Sequence, residues 1–121
     1  MKPRSKHLVV AITGASGSGF GVAVVRRLAA NLEVETVTLL FSATGRRCLA
    51  EECGLTDKDL AALSPKIKLQ NEKDLGAAIS SGSHRQDGMV LVPCSAGALG
   101  RIAAGVSDTL VSRAADVCLK E

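Results

Sequence analysis

Short apolar runs rich in β-branched residues alternate along this chain with stretches whose apolar residues recur at helical spacing. The short runs predict buried strands, and the longer stretches predict amphipathic helices. Strands are predicted at His7–Thr13, Glu35–Phe41, Lys66–Gln70 and Gly88–Pro93. Apolar strands that alternate with helices are typical of a parallel sheet covered on both faces. The pattern therefore predicts an α/β fold built around a doubly wound parallel sheet.

The predicted helices connect and follow these strands. They cover Ser18–Asn31, Ala43–Cys53, a short segment capped by Thr56, a segment from Ser95 onward, and Thr109–Leu119. Ser107 or Asp108 is the expected N-terminal cap of the last helix, because both side chains accept hydrogen bonds from backbone amides. The chain stops soon after that helix, where a doubly wound fold is expected to add another strand. We therefore expect a sheet that is truncated on its C-terminal side.

Composition narrows the class of protein. A length of 121 residues fits one domain, residues 1–121, and a hydrophobic share of 46% predicts a packed core. Two Phe with neither Trp nor Tyr, and a net charge of only +3, argue against a nucleic-acid partner. No apolar run approaches the ~20 residues of a membrane helix, and the first residues do not form a signal peptide, so a cytoplasmic protein without a membrane partner is expected. Four cysteines without a Cys-x-x-Cys pair offer no zinc site, and no metal is expected.

Residues Thr13–Gly21, T-G-A-S-G-S-G-F-G, form a glycine-rich turn between the first predicted strand and helix. Such a turn directs backbone N–H groups and the positive end of the helix at a bound anion. A P-loop is disfavoured because Phe20 stands where that motif has its lysine. A dinucleotide-binding turn is the weaker interpretation, because Val22 replaces the third glycine and Ser42, rather than an acidic residue, ends the second strand. A mononucleotide phosphate held by Ser16, backbone amides and Ser42 fits better.

Two further hydroxyl-rich loops flank the last predicted strand. The sequence S-S-G-S precedes it at Ser80–Ser83, and P-C-S-A-G-A follows it at Pro93–Ala98. In open α/β sheets, ligands bind beyond the carboxyl ends of the strands. We therefore expect Gly14–Ser16, Ser42 and Cys94–Ala98 to converge on one crevice.

Taken in order, these motifs resemble the UbiX-like (Pad1-like) flavin prenyltransferases, a family with the FMN-binding flavoprotein fold. The matching stretches are Ile12–Gly21, Ser42, Ile79–Ser83, Gly88–Ser95, Ile102–Leu110 and Arg113–Glu121. The resemblance extends over essentially the whole chain. It implies a Rossmann-like (flavodoxin-like) three-layer fold that binds FMN.

The resemblance also implies an activity and roles for residues. The enzyme would be a cytoplasmic homo-oligomer that joins a dimethylallyl group from dimethylallyl phosphate to N5 and C6 of reduced FMN, and the prenylated flavin would serve UbiD-like decarboxylases. The implied FMN contacts are Gly14, Ala15, Ser16, Ser42, Ser95, Ala96, Gly97 and Ala98. Ser81 and Ser83 would bind substrate, and the implied catalytic residues are Glu52, Arg113 and Lys120. Fixed cations and hydroxyls would stabilise the departing phosphate without a metal.

The chain also departs from the family. Ala98 stands where a hydroxyl is frequent, Phe20 stands where Tyr is frequent, and the family continues beyond the L-K-E of residues 119–121. Two other functions therefore stay open. One is a catalytically incomplete, FMN-binding and oligomerising module. The other is an NAD-dependent reductase, against which the glycine spacing and Ser42 argue.

Overall fold

The computed structural model describes residues 5–76 and 86–120, in which strands and helices alternate as the sequence predicts. The elements are β1 (Lys6–Ile12), α1 (Ser18–Ala30), β2 (Val34–Phe41), α2 (Ala43–Cys53), α3 (Asp57–Ala61), β3 (Ile67–Leu69), β4 (Gly88–Leu91), α4 (Ala96–Ala104) and α5 (Leu110–Lys120). All four predicted strands are present, and α2 has the predicted bounds.

Within the described residues, the strands form one parallel sheet in the order β3-β2-β1-β4. Val10 of β1 lies opposite Leu39 of β2 on one side and opposite Val90 of β4 on the other. The chain builds outward from β1 to β3 and then returns to the other side of β1 to add β4. This reversal confirms the predicted doubly wound α/β fold.

Alternate residues of β1 face two separate cores. Val10 and Ile12 pack on one face of the sheet with α1, α2 and α3, whereas Val9 and Ala11 pack on the opposite face with α5. All four of these β1 side chains are fully buried. The central strand is apolar at consecutive positions because both of its faces are covered, and this arrangement gives three layers.

Several local predictions were wrong at the ends of elements. Helix α1 ends at Ala30, one residue before the predicted end at Asn31, and the following Leu32 is 93% exposed. Neither Ser107 nor Asp108 caps α5. Instead, the Ser112 amide donates to Thr109 Oγ1 and the Thr109 amide donates to Ser112 Oγ, each at 3.1 Å. Thr109 directly precedes α5 and holds the cap position, whereas the Asp108 carboxylate lies 3.2 Å from the Arg101 guanidinium.

The side of the sheet next to β4 is the least covered. In the part of the chain that the structure describes, β4 pairs with β1 alone, and α4 buries none of its side chains. Across residues 5–76 and 86–120, none of the helices has the length and apolarity that crossing a membrane requires.

Candidate functional site

Thr13 joins the carboxyl ends of β1 and β4. Its hydroxyl donates to the Pro93 carbonyl at 2.8 Å and accepts from the Ser95 amide at 2.7 Å. The Thr13 amide also donates to the Pro93 carbonyl, at 3.1 Å. Thr13 is almost completely buried, so these bonds satisfy polar groups that would otherwise be costly to remove from water. They fix the loop that begins α4 against the end of β1.

The carboxyl ends of β1 and β2 are also joined by a hydrogen bond. The Ser42 amide donates to the Ile12 carbonyl at 3.2 Å. A Cβ atom at Gly45 would overlap the Ile12 carbonyl oxygen, and one at Gly14 would overlap the Thr44 side chain. Glycine at both positions therefore lets the first turn of α2 pack directly on the end of β1. The carboxyl ends of β1, β2 and β4 therefore lie together at one edge of the sheet.

Serine residues cap the two helices that begin at this edge. Ser42 Oγ accepts from the Gly45 amide at 2.9 Å in α2, and Ser95 Oγ accepts from the Ala98 amide at 3.1 Å in α4. Each cap uses the third amide of its helix. The first two amides of a helix have no partner within the helix and carry the positive end of its dipole. Both helix starts can therefore receive an anionic ligand.

A cavity of about 470 Å³ lies at this convergence. Its walls come from the ends of β1 and β2, the segment after β3, the start of α4, and the segment that enters α5. The lining residues are Thr13, Phe41, Ser42, Ala43, Thr44, Glu72, Lys73, Leu75, Ser95, Ala98, Arg101, Asp108, Thr109, Leu110, Val111 and Ser112. Its hydroxyl groups and apolar side chains suit a ligand with a planar apolar part and a polar tail.

Two ion pairs shape the walls. The Arg46 guanidinium binds the Glu72 carboxylate through two contacts of 2.6 and 3.1 Å and also reaches Asp57 at 3.2 Å. These contacts hold the pKa of Arg46 above its ordinary value, chiefly through the hydrogen bond to Glu72. On the opposite wall, Arg101 pairs with Asp108. Glu72 and Asp108 line the cavity, and each has its own arginine.

Glu52 belongs to the last turn of α2. Its side chain contacts the start of α1 and does not line the cavity. Its carboxylate accepts hydrogen bonds from Ser16 Oγ at 2.9 Å, the Gly17 amide at 3.1 Å and the Ser18 amide at 2.9 Å. These hydrogen bonds, chiefly the one from the Ser18 amide, hold the pKa of Glu52 below its ordinary value. Glu52 is therefore ionised at neutral pH.

The first turn differs from the sequence interpretation in one respect. Gly17 has a φ of +111° and provides no side-chain cap, so the exposed Glu52 carboxylate from the last turn of α2 takes the place of the cap. The Ser16 hydroxyl and the first amides of α1 were expected to hold a phosphate. They already bind a carboxylate, so the geometry favours the starts of α2 and α4 as the place for a phosphate.

The structure brings only some of the predicted site residues together. Ser42, Ser95 and Ala98 line the cavity, whereas Gly14 packs behind it against Thr44. Ala15, Ala96 and Gly97 belong to the same two loops but are not among the lining residues. Ser81 and Ser83 lie outside the described residues.

The two predicted catalytic cations make their contacts within α5 and the segment that precedes it. Arg113 Nε donates to the Ser107 carbonyl at 3.1 Å, and Lys120 Nζ pairs with Asp116 at 3.3 Å on the surface of α5. Neither residue lines the cavity. Their catalytic roles stay predictions.

Sequence reasoning missed Thr13, Thr44, Lys73 and Arg101. The hydroxyl of Thr13 was detectable, since it is the last residue of a buried strand next to the glycine-rich turn. Lys73 and Arg101 had no such signal, because they lie on a polar segment and on the helix that follows a loop. Only the folded chain shows that these two segments face each other across a cavity.

A doubly wound sheet with three strand ends around one cavity defines a mononucleotide-binding type of α/β protein. The family model described as Flavoprotein matches residues 1–121, and the chain belongs to this family. Its sequence is 44% identical over 115 residues to the flavin prenyltransferase UbiX of Deinococcus radiodurans, covering 95% of this chain and 57% of that protein. It is 43% identical over 119 residues to the mitochondrial flavin prenyltransferase PAD1 of Saccharomyces cerevisiae, covering 98% of this chain and 48% of PAD1.

Solved structures share the fold. A dodecameric FMN-dependent UbiX-like decarboxylase from Escherichia coli O157:H7 superposes with a TM-score of 0.88 at 42% identity, covering 95% of this chain and 60% of that one. AnUbiX (PadA1), in complex with FMN and dimethylallyl pyrophosphate, superposes with a TM-score of 0.87 at 39% identity, covering 98% and 61%. The chain thus spans about half to three fifths of the length of these relatives.

Proposed function

We propose that this chain is a flavin prenyltransferase that transfers a dimethylallyl group from dimethylallyl phosphate to reduced FMN. The observation that carries the proposal is the convergence of the ends of β1, β2 and β4 on a single cavity. Relatives at 43–44% identity are named flavin prenyltransferases, which supports the assignment of substrates.

The residues at the cavity fit FMN. The volume of about 470 Å³ lies within the usual range for small-molecule sites, roughly 300–1,000 Å³. Leu75, Leu110 and Val111 supply apolar walls suited to a flavin ring, and Ser42, Thr44 and the helix starts supply donors suited to a ribityl phosphate. We therefore assign Ser42, Ser95 and Ala98 as FMN contacts, with Gly14, Ala15, Ser16, Ala96 and Gly97 in the supporting loops.

Reduced FMN, when bound, supplies the nucleophilic ring positions to which the prenyl group is transferred. The residues of this chain orient the substrates and hold protons. Ser16 Oγ and two backbone amides donate to the Glu52 carboxylate and hold it ionised beside the glycine-rich turn. We assign proton transfer to Glu52.

A second candidate is an FMN-binding, oligomerising module that lacks turnover. The positions of Arg113 and Lys120 favour it, because the two cations expected to stabilise the departing phosphate make their contacts on the surface of α5. On this hypothesis the cavity binds flavin, but no described side chain from α5 assists the transfer.

Partners and location follow as parts of the proposal. The uncovered apolar side of β4 and α4 supports a homo-oligomer, and one structural relative is described as dodecameric. A UbiD-like decarboxylase is proposed as the recipient of the prenylated flavin. We propose a cytoplasmic location, for which the free cysteines Cys48, Cys53, Cys94 and Cys118 give support, since reducing compartments keep thiols unpaired.

Two measurements test the proposal. The purified chain is expected to bind FMN, detected as quenching of flavin fluorescence and a bound visible spectrum. Anaerobic incubation with reduced FMN and dimethylallyl phosphate is then expected to give a prenylated flavin, detected by mass spectrometry. Binding without product would favour the module. Absence of flavin binding would contradict both candidates.

A further inference from the structure

Lys73 differs from the other charged residues that line the cavity. Those residues are Glu72, Lys73, Arg101 and Asp108. Glu72 is bound by Arg46, and Asp108 is bound by Arg101. Among the contacts of residues 5–76 and 86–120, no carboxylate or carbonyl accepts from the Lys73 ammonium. Within residues 5–76 and 86–120, the exposed Lys73 is therefore the lining cation without an acidic partner, and its donors are available to a ligand.

The backbone that carries Lys73 forms a turn in the exposed segment after β3. The Lys73 amide donates to Asn71 Oδ1 at 2.9 Å, and the Leu75 amide donates to the Lys73 carbonyl at 3.1 Å. The neighbouring Glu72 is held by two contacts to Arg46, which projects from the first turns of α2. The bidentate geometry restricts this segment more than a single contact would.

We infer that Lys73 binds the phosphate monoester of a ligand in this cavity. The starts of α2 and α4 offer backbone donors but no full positive charge, and Arg101 already shares its charge with Asp108. A dianionic phosphate in an apolar-walled cavity requires a compensating cation, and a charge-assisted hydrogen bond to an ammonium provides it. Nothing in the sequence resemblance assigns a role to Lys73.

The phosphate has two possible sources, the ribityl phosphate of FMN and the phosphate of the prenyl donor. Both present the same group to an ammonium. The inference rests on the proposed function for these two ligands. The phosphate chemistry itself is testable without flavin.

The experiment compares the wild-type chain with Lys73→Gln, Lys73→Arg and the matched control Lys68→Gln. Lys68 is an exposed lysine of β3 that does not line the cavity. Affinities are measured by fluorescence for FMN and for riboflavin, which lacks the phosphate, and by isothermal calorimetry for dimethylallyl phosphate. Binding of inorganic phosphate is followed by ³¹P NMR line broadening, and thermal melts check that each variant is folded.

Lys73→Gln is expected to lower the affinity for one of the phosphate ligands about tenfold, as for the loss of a charge-assisted hydrogen bond. The affinity for riboflavin is expected to change less than about twofold. Loss of FMN affinity assigns Lys73 to the flavin phosphate, and loss of dimethylallyl phosphate affinity assigns it to the prenyl donor. Lys73→Arg and Lys68→Gln are expected to bind like the wild type.

Equal losses for FMN and riboflavin, or no loss for any phosphate ligand, would overturn the inference. Failure of the proposed function gives a different result, because then the wild type binds neither flavin. In that case the measurement with inorganic phosphate decides whether Lys73 forms a phosphate site. Phosphate broadening that Lys73→Gln abolishes supports the site, and unchanged or absent broadening overturns it.

Discussion

At the scale of the residue, the contacts of the Glu52 carboxylate link the end of α2 to the start of α1. Glu52 is exposed, yet three donors from the start of α1 converge on its carboxylate. The helix dipole and the hydrogen bonds both stabilise the ionised form of a carboxylate at a helix start. One side chain thus acts both as the cap of α1 and as the proposed proton acceptor.

Replacing Glu52 by Gln separates these two roles. The pKa of Glu52 lies below its ordinary value in the folded chain, so the ionised carboxylate stabilises the fold above pH ~4.3 and this contribution is lost as the pH falls through the lowered pKa. We expect Glu52→Gln to have a lower Tm than the wild type at pH 7, with the difference shrinking toward pH 3. Thermal melts across this pH range check the expectation.

The same variant is expected to keep FMN affinity but to lose prenyl transfer by about 10²-fold or more, the usual effect of removing a general base. Glu51→Gln, one residue earlier on the surface of α2, is the matched control. A Tm difference that stays constant with pH would contradict the assigned cap, and unchanged transfer would contradict the catalytic role.

At the scale of the element, close approach between α2 and β1 builds the site. Gly45 lies in the first turn of α2 directly over the Ile12 carbonyl. The backbone oxygen cannot move without breaking its hydrogen bond from the Ser42 amide. Only glycine fits at position 45, because any side chain would overlap the Ile12 carbonyl. The backbone conformation is not the reason, since the φ of Gly45 is not in the left-handed region.

Gly45→Ala tests this packing. An added methyl group that meets backbone is expected to destabilise the fold by the upper part of the roughly 1–3 kcal/mol typical of overpacking, and to weaken flavin binding. Gly19→Ala is the matched control, since a Cβ atom there meets nothing within 4 Å, and it is expected to change stability by less than about 0.5 kcal/mol. Denaturant unfolding measures both. Equal stabilities would show that the turn of α2 can shift.

The elements themselves were predictable to a large extent. The capping box of Thr56 and Asp59 at α3 and the full span of α2 follow from local signals, which act within a few residues. The cap of α5 did not follow, because Ser107, Asp108 and Thr109 are adjacent residues whose side chains can all accept a hydrogen bond. The structure begins the helix at Leu110, so Thr109 is its cap, while Asp108 pairs with Arg101 of α4.

At the scale of the whole molecule, the uncovered side next to β4 stands out. Leu99 is 61% exposed, Val106 is 44% exposed and Val90 is 38% exposed, although all three are apolar. They lie on α4, just after it, and on the outermost strand of that side within the described residues. Exposed apolar side chains on and near the outermost strand of a sheet are typical of an interaction surface.

We expect the paired substitutions Leu99→Asp and Val106→Asp to reduce the size of the proposed homo-oligomer. Charges placed in an apolar interface lose hydration without gaining partners, so association should weaken by at least about tenfold. Sedimentation velocity over a range of concentrations measures the change. Leu63→Asp, at an exposed leucine after α3, is the control expected to leave the assembly intact. An unchanged assembly in the double variant would place the interface elsewhere.

The sequence by itself determined the α/β class, the order of strands along the chain and the three loops that carry hydroxyl groups, because these depend on periodicity and on short-range turn chemistry. The tertiary structure decided which side chains of those loops and of distant segments meet. It set Glu52 on the start of α1, brought Lys73 and Arg101 to the cavity and left Arg113 and Lys120 on the outer surface of α5. Contacts between residues distant in sequence depend on the packing of whole elements, and the local pattern of residues does not contain that information.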